Sequence, residues 1–193
     1  MTVSMGPLVQ TSLRDPRSAA QSIMALGLGR DALWTALALV AVVNTFLVLF
    51  VVQFAGPAFP FPGYFDRPLA LFVLIAGLTV VYVHAMYWAG LAIGGRGALN
   101  DVLAVVVWFQ VLRAMAQVAV ILVSLALPGL GALFSLVIAV WGFWIFLNFL
   151  ATVLNLASVW HAIGVLVISF AGLVMGLGIL MAVVGGFMSG GSA

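Results

Sequence analysis

Residues 102–127 read VLAVVVWFQVLRAMAQVAVILVSLAL and hold a single charged side chain, that of Arg113. A helix needs about 20 consecutive apolar residues to span the hydrocarbon core of a bilayer. This stretch is therefore long enough and apolar enough to cross a membrane as one helix. Its arginine would place a positive charge deep in that helix, where lipid offers little water to solvate it.

The rest of the chain has the same character. Charged residues make up 5% of the 193 residues, hydrophobic residues make up 66%, and the mean hydropathy is +1.37. Soluble domains contain about 25% charged residues. This chain cannot build a water-facing surface, which excludes a soluble enzyme, a nucleic-acid-binding protein and a disordered chain. The composition indicates an integral membrane protein.

Runs without charge locate the membrane spans. Residues 32–65, 68–95 and 114–193 contain no Asp, Glu, Lys or Arg. They are continuously apolar rather than alternating, which favours helices over a barrel. We expect Asp31 and Ser158 to cap the first and last spans. The sequence predicts an all-α polytopic membrane protein, a bundle of five transmembrane helices: Ala32–Phe54, Leu69–Ile93, Val102–Leu127, which Pro128-Gly129 would end, Ala132–Leu154 and Val159–Val184.

The N-terminal segment, residues 1–30, is predicted to be cytoplasmic and to carry a short amphipathic helix over residues 15–28. Asp15 would cap it, Pro16 would take its first position and Gly27 would end it. A helix lying in the membrane interface is favoured over a frayed tether. The membrane domain then covers residues 31–185, and residues 186–193 form a flexible tail.

The placement of arginines predicts the orientation. If the N-terminus is cytoplasmic, four arginines lie inside and only Arg67 lies outside. The excess of positive charge on the cytoplasmic side favours this arrangement, and five spans then place the C-terminus outside. The four inner arginines are Arg14, Arg17, Arg30 and Arg96.

A glycine-rich turn, Gly94-Gly95-Arg96-Gly97, precedes Ala98-Leu99-Asn100-Asp101 and a long apolar helix. With this turn, the chain resembles the Yip family of membrane proteins over roughly residues 13–185. The resemblance implies a cytoplasmic N-terminus, five spans and short loops. Three further stretches resemble the bacterial branch: Val107-Trp108-Phe109-Gln110, Pro128-Gly129 and Trp144-Ile145-Phe146-Leu147-Asn148-Phe149. Eukaryotic members act in vesicle traffic and bind Rab GTPases, which bacteria lack. The composition is rich in Arg, Ala and Gly and contains no Lys, which is typical of a GC-rich bacterium. We therefore expect a bacterial inner membrane with the C-terminus in the periplasm, and the resemblance leaves the molecular activity open.

Arg113 is the most informative single residue. It lies roughly 18 Å beyond Asp101 along a helix that rises about 1.5 Å per residue, so it is predicted near mid-membrane. Gln110 and Gln117 share its helix face. This face is predicted to bind an anion, a lipid headgroup or another subunit. The alternative is a structural arginine, either satisfied by neighbouring amides or snorkelling to an interface; the expected partners are Asn44, Asn148, backbone carbonyls, a lipid phosphate or another subunit.

Other polar residues have plainer interpretations. His84 is a candidate proton relay or ligand, although a hydrogen bond to a neighbouring helix is favoured. Asn148 shares one face with Thr152 and Asn155, which indicates polar contacts between helices. Arg96, beside the exposed amides of its turn, is a candidate contact for lipid phosphates.

Glycine and proline positions add two structural expectations. The spacings Gly90-x-x-x-Gly94 and Gly172-x-x-x-Gly176 predict close helix packing within the chain rather than dimerisation. The stretch 55–65 contains three prolines and four aromatic residues. It is predicted to lie at the outer membrane interface as an aromatic anchor.

The chain offers no Ser/His/Asp set, no Cys/His pair and no paired carboxylates at membrane depth, so the sequence predicts a non-enzyme with neither metal nor cofactor. The favoured function is a membrane-organising or accessory subunit that acts through membrane lipids, a protein partner or a second copy. The alternative is a small transporter or channel. Its polar lining would be Asn44, His84, Gln110, Arg113, Gln117 and Asn148.

Overall fold

The computed structural model describes residues 5–55 and 67–189, without the side chains of residues 54, 55, 128 and 177–189. Every regular element within these ranges is a helix. In chain order the helices are α1 (Met5–Arg14), α2 (Pro16–Ala25), α3 (Arg30–Ala55), α4 (Pro68–Ala92), α5 (Leu99–Ala126), α6 (Pro128–Val153) and α7 (Val159–Ser189).

Five of these helices, α3 to α7, are long and apolar enough to cross a membrane. This confirms the predicted five-span bundle. The predicted anchor loop lies outside the described residues, apart from helical Ala55. Helix α7 continues to Ser189 and so includes the first four residues of the predicted tail.

Two helix starts differ from the prediction. Asp31 lies in the first turn of α3 rather than capping it, because α3 already begins at Arg30. Pro128 begins α6 instead of only ending α5, and Leu127 alone separates the two helices. Proline is suited to a first helical turn because its fixed φ is helical and its missing N–H would have no partner there.

The short helices α1 and α2 form an N-terminal hairpin that packs on the spans. The predicted α2 is present, with Pro16 in its first turn and the Asp15 side chain accepting from the Ser18 amide. Its small residues Ala19 and Ala20 are fully buried, and α2 packs against α6 and α5. The apolar face of α2 is therefore covered by protein, while its placement in the membrane interface stays a prediction.

The densest part of the core surrounds the first half of α5. Each residue from Val102 to Trp108 is at most 8% exposed, so this half of the helix is enclosed on all sides. The helices α2, α3, α4 and α6 pack around α5. The ring centroids of Phe109 and Phe146 lie 4.7 Å apart and join α5 to α6. Antiparallel spans place the start of α5 at the same end of the bundle as the N-terminal hairpin.

Glycines bring two turns into close contact at this end of the bundle. A Cβ added to Gly90 would lie 2.6 Å from Leu154 Cδ1, and one added to Gly97 would lie 2.5 Å from the Val153 carbonyl oxygen. Close packing at Gly90 is as predicted, but Gly94, the other glycine of that spacing, has no described atom within 4 Å of an added Cβ. The close packing predicted for the second spacing is not found, because no described atom lies within 4 Å of an added Cβ at Gly172 or Gly176.

Candidate functional site

Four polar side chains from α3, α4 and α5 form a hydrogen-bonded chain, called here the mid-span network. Arg113 Nη2 donates to Asn44 Oδ1 at 2.8 Å. Asn44 Nδ2 lies 3.3 Å from Gln110 Oε1, and Gln110 Nε2 donates to Thr79 Oγ1 at 3.0 Å. The hydroxyl of Thr79 in turn donates to a carbonyl oxygen of its own helix. The network ties three spans together through side chains.

The network lies near the middle of all three helices. Asn44 is close to the midpoint of α3, Thr79 is close to the midpoint of α4, and Arg113 is close to the midpoint of α5. With a rise of about 1.5 Å per residue, each lies roughly 16–21 Å from either end of its helix. Because three helices agree, Arg113 lies near the middle of the candidate spans whichever helix boundary is used as the reference.

Arg113 has few other partners in the part of the chain that the structure describes. Asn44 is buried, whereas Arg113 remains exposed in the isolated chain. Its bond to Asn44 is the only hydrogen bond of its side chain among the described residues. Gln117, on the same helix face, makes no hydrogen bond with any residue that the structure describes. A guanidinium has five N–H donors, so most of the donors of Arg113 have no acceptor among the described residues.

Two of the predicted site residues lie apart from this network. His84 Nδ1 is 2.8 Å from the Val80 carbonyl oxygen of its own helix, so it does not bond a neighbouring helix through that nitrogen. Asn148 accepts a hydrogen bond from Arg17 Nε at 3.1 Å. The expectation that Asn148 partners Arg113 is therefore not met.

The N-terminal hairpin is held by three long-range hydrogen bonds. Besides the bond from Arg17 to Asn148, Trp108 Nε1 donates to Ser12 Oγ at 2.9 Å, and Trp141 Nε1 donates to the Leu13 carbonyl oxygen at 3.3 Å. Spans α5 and α6 thus supply one amide and two indoles to the hairpin. The contacts of Ser12 and Arg17 were not predicted, because nothing in their local sequence identifies these partners.

Asp15 stabilises the joint between α1 and α2. Its Oδ2 accepts from the Ser18 hydroxyl at 2.6 Å and its Oδ1 accepts from the Ser18 amide at 3.2 Å. These hydrogen bonds favour the ionised carboxylate and lower the pKa of Asp15 below its ordinary value. We therefore expect this joint to weaken when Asp15 is protonated in acid.

Arg96 belongs to the glycine-rich turn at the same end of the bundle as the hairpin. Its amide donates to the Leu154 carbonyl oxygen at 2.8 Å, which fixes the turn to the end of α6. Its side chain is exposed. Within the described ranges, no group of three or more His, Cys, Asp or Glu side chains is placed to hold a metal ion.

The five apolar spans define a multi-pass integral membrane protein. A family model described as the Yip1 domain matches residues 11–181, which is most of the chain, and the protein therefore belongs to the Yip1 family. No curated protein and no solved structure matches the chain.

Proposed function

We propose that this protein is a non-catalytic accessory or membrane-organising subunit, and that it docks a partner membrane protein through Arg113. The observation that supports this is a charged side chain near the middle of its candidate span with one acceptor in the described part of its own chain, Asn44. The surrounding network contains amides and a hydroxyl. These groups position a cation and do not form a nucleophile–base pair.

The energetics favour a partner with negative charge. A charge at the bilayer centre costs from about 2.5 to more than 10 kcal/mol, depending on how it is measured. A carboxylate on a neighbouring helix would take two of the free donors of Arg113 in a charge-assisted pair. The hydrogen bond to Asn44 holds one edge of the guanidinium and leaves the rest available.

The depth of Arg113 favours a protein over a lipid phosphate. Half of a hydrocarbon core of about 30 Å separates mid-membrane from either headgroup region, a distance greater than the length of an arginine side chain. A second copy of the chain is also disfavoured, because the sequence places none of its four acids near the middle of a span. Each of the four acids lies within three residues of the start of a helix: Asp15, Asp31, Asp66 and Asp101.

The test is to crosslink the tagged protein in its native membrane before solubilisation and to quantify what is joined to it. The variants are Arg113→Gln, Arg113→Lys and the control Arg30→Gln, which removes the same charge outside the membrane core. We expect one stoichiometric membrane protein with an Asp or Glu inside a span. The wild type, Arg113→Lys and Arg30→Gln would retain it, and Arg113→Gln would lose it.

Three results would overturn the docking proposal. The partner could be retained equally by Arg113→Gln, or the protein could be recovered alone. A homodimer that depends on Arg113 would replace the foreign partner with a second copy. Neutralising the partner's acid is a second test. Replacing that acid with Gln should abolish the complex, as Arg113→Gln does.

The geometry does not favour the transporter alternative. A transport path needs its polar side chains to line one route, but the six candidates fall into separate groups. Asn44, Gln110 and Arg113 are in the mid-span network, whereas His84 bonds its own helix and Asn148 bonds the N-terminal hairpin. Gln117 has no hydrogen-bond partner among the described residues. Substrate-dependent flux through the purified protein in liposomes would restore this alternative.

We also propose that the N-terminal hairpin faces the cytoplasm of a bacterial cell and that α7 ends in the periplasm. The support is the positive-inside rule, since Arg30 and Arg96 lie at the hairpin end and Arg67 lies at the opposite end. The chain has no Cys, so single-cysteine variants test this directly. An impermeant maleimide added to whole cells should label Arg67→Cys and not Ser22→Cys.

A further inference from the structure

A cavity of about 310 Å³ lies at the hairpin end of the bundle, between the α4–α5 turn and the α6–α7 turn. It is separate from the mid-span network, which lies about 16–21 Å from the helix ends along the helices. No acidic residue is among the seven that line it: Ile93, Gly94, Arg96, Asn155, Leu156, Ala157 and His161.

The backbone around this cavity is firmly held. Arg96 N donates to the Leu154 carbonyl oxygen at 2.8 Å, and Gly95 N donates to the Gly90 carbonyl oxygen at 2.9 Å. The space beside Gly95 is too tight for a Cβ, which would lie 2.8 Å from the Gly90 carbonyl oxygen. The position of Arg96 is therefore fixed by main-chain bonds, and its side chain is not needed to hold the turn.

The Arg96 side chain is free to bind a ligand. It is exposed and makes no hydrogen bond or ion pair with any residue in the described part of the chain. The cavity thus has a cationic group on one wall and no carboxylate among its lining residues to neutralise it.

His161, in the first turn of α7, lines the cavity and adds a second donor. Its Nδ1 lies 2.8 Å from Ser158 Oγ. When the serine hydroxyl donates to Nδ1, the proton of the neutral imidazole is on Nε2, which is then a donor. Asn155 is in the α6–α7 turn at a φ of 50°, and its side-chain amide is a further possible donor to the cavity. The polar side chains of the cavity therefore suit an acceptor-rich, negatively charged group.

We propose that this cavity binds a phosphate group, with Arg96 as the charged contact and His161 and Asn155 as further donors. Its volume is at the lower end of the range for small-molecule sites, which suits one headgroup-sized ligand. The cavity lies at the ends of four spans, the depth at which lipid headgroups are found. The phosphate can belong to an anionic lipid or to a free phosphate compound, and the experiment separates these sources.

The test measures binding to the full-length protein in detergent. Native mass spectrometry compares the number of phosphatidylglycerol and phosphatidylcholine molecules that stay bound to the protein. In parallel, inorganic phosphate is titrated and the thermal shift of the protein is measured. Arg96→Gln removes the charged contact, and Ala157→Trp fills the cavity without changing charge. Arg30→Gln is the matched control, because it removes one arginine at the same end of the bundle but outside the cavity.

We expect one phosphatidylglycerol bound in preference to phosphatidylcholine. Arg96→Gln should weaken this binding about ten-fold, as expected for loss of one charged hydrogen bond. Ala157→Trp should weaken it too, and Arg30→Gln should leave it unchanged. If inorganic phosphate binds with the same dependence on Arg96 and phosphatidylglycerol does not, the site takes a free phosphate compound.

Two results would overturn the phosphate site: binding that is unaffected by both Arg96→Gln and Ala157→Trp, or binding that falls equally in Arg30→Gln. The first places any phosphate elsewhere, and the second shows only a general attraction to positive charge. Neither result bears on docking at Arg113, since none of these variants alters the mid-span network.

Discussion

Arg17 Nε donates to Asn148 Oδ1 at 3.1 Å, which joins the second N-terminal helix to the fourth membrane span. The amide of Asn148 is fixed from its other side, because Nδ2 donates to the Trp144 carbonyl oxygen of the same span. Asn148 is buried while Arg17 is exposed. The bond therefore holds the N-terminal hairpin on the bundle, and its acceptor is a buried side chain that is itself fixed by a second hydrogen bond.

Loss of this bond should loosen the hairpin and leave the spans intact. Asn148→Leu keeps a similar volume and removes the acceptor, so we expect docking to weaken by about 1–2 kcal/mol. That corresponds to roughly ten-fold faster amide hydrogen exchange in α1 and α2, measured by mass spectrometry on the protein in nanodiscs. Ser22→Ala is the control, since its exposed hydroxyl bonds only its own helix. Unchanged exchange in α1 and α2 would show that the bond contributes nothing to docking.

Acid should loosen the same hairpin through Asp15. Its pKa is lowered in the folded hairpin, chiefly by the hydrogen bond from the Ser18 hydroxyl and then by that from the Ser18 amide. The stabilisation is complete above the ordinary carboxyl pKa and is lost as the pH falls through the lowered pKa. Hairpin exchange, corrected for intrinsic rates, should therefore accelerate below about pH 4. Asp15→Asn should remove this acid dependence, and an identical pH profile in Asp15→Asn would assign it to another group.

The spans were predictable because apolar length is a local property of the sequence. Helix α2 was predictable for a related reason, since Asp15 and Pro16 together form a helix start. Helix α1 was not, because Gly6 and Pro7 disfavour helix by intrinsic propensity. The structure tolerates them because both lie in the first turn of α1, where the missing N–H of proline has no helical partner.

The candidate site was predictable in part. Depth and helix face placed Arg113 and Gln110 together, and Asn44 was among the expected partners. The partner of Asn148 was not predictable, because Arg17 is 131 positions away in sequence. That contact exists only because α2 packs on α6, and no pattern within α2 identifies which span will receive it.

The close turn contact predicts an order among glycine substitutions. Gly97→Ala should be the most destabilising, by about 1–3 kcal/mol, because its Cβ would meet a backbone oxygen that cannot move alone. Gly90→Ala should cost less, since it meets the flexible end of the Leu154 side chain. Gly77→Ala has open space and should stabilise the helix by about 0.5–1 kcal/mol. Thermal unfolding in detergent checks the order, and equal losses at Gly97 and Gly77 would contradict it.

The mid-span network predicts an asymmetry between Arg113 and Asn44 in the isolated protein. Asn44→Leu removes the acceptor that Arg113 has within the described chain and should destabilise, because the cation keeps its desolvation cost without its partner. Arg113→Leu removes the cost together with the charge, so it should be neutral or stabilising. The double variant should then be more stable than Asn44→Leu alone, with a coupling energy of about 1–2 kcal/mol.

Reversible unfolding in mixed micelles measures these free energies, and Gln117→Leu on the same helix face serves as the neutral control. If Arg113→Leu destabilised the isolated protein as much as Asn44→Leu, the arginine would be maintained for folding. That result would remove the reason to assign it a partner. If instead Arg113→Leu is tolerated in isolation but fails in the native membrane, the arginine is retained for what it binds outside its own chain.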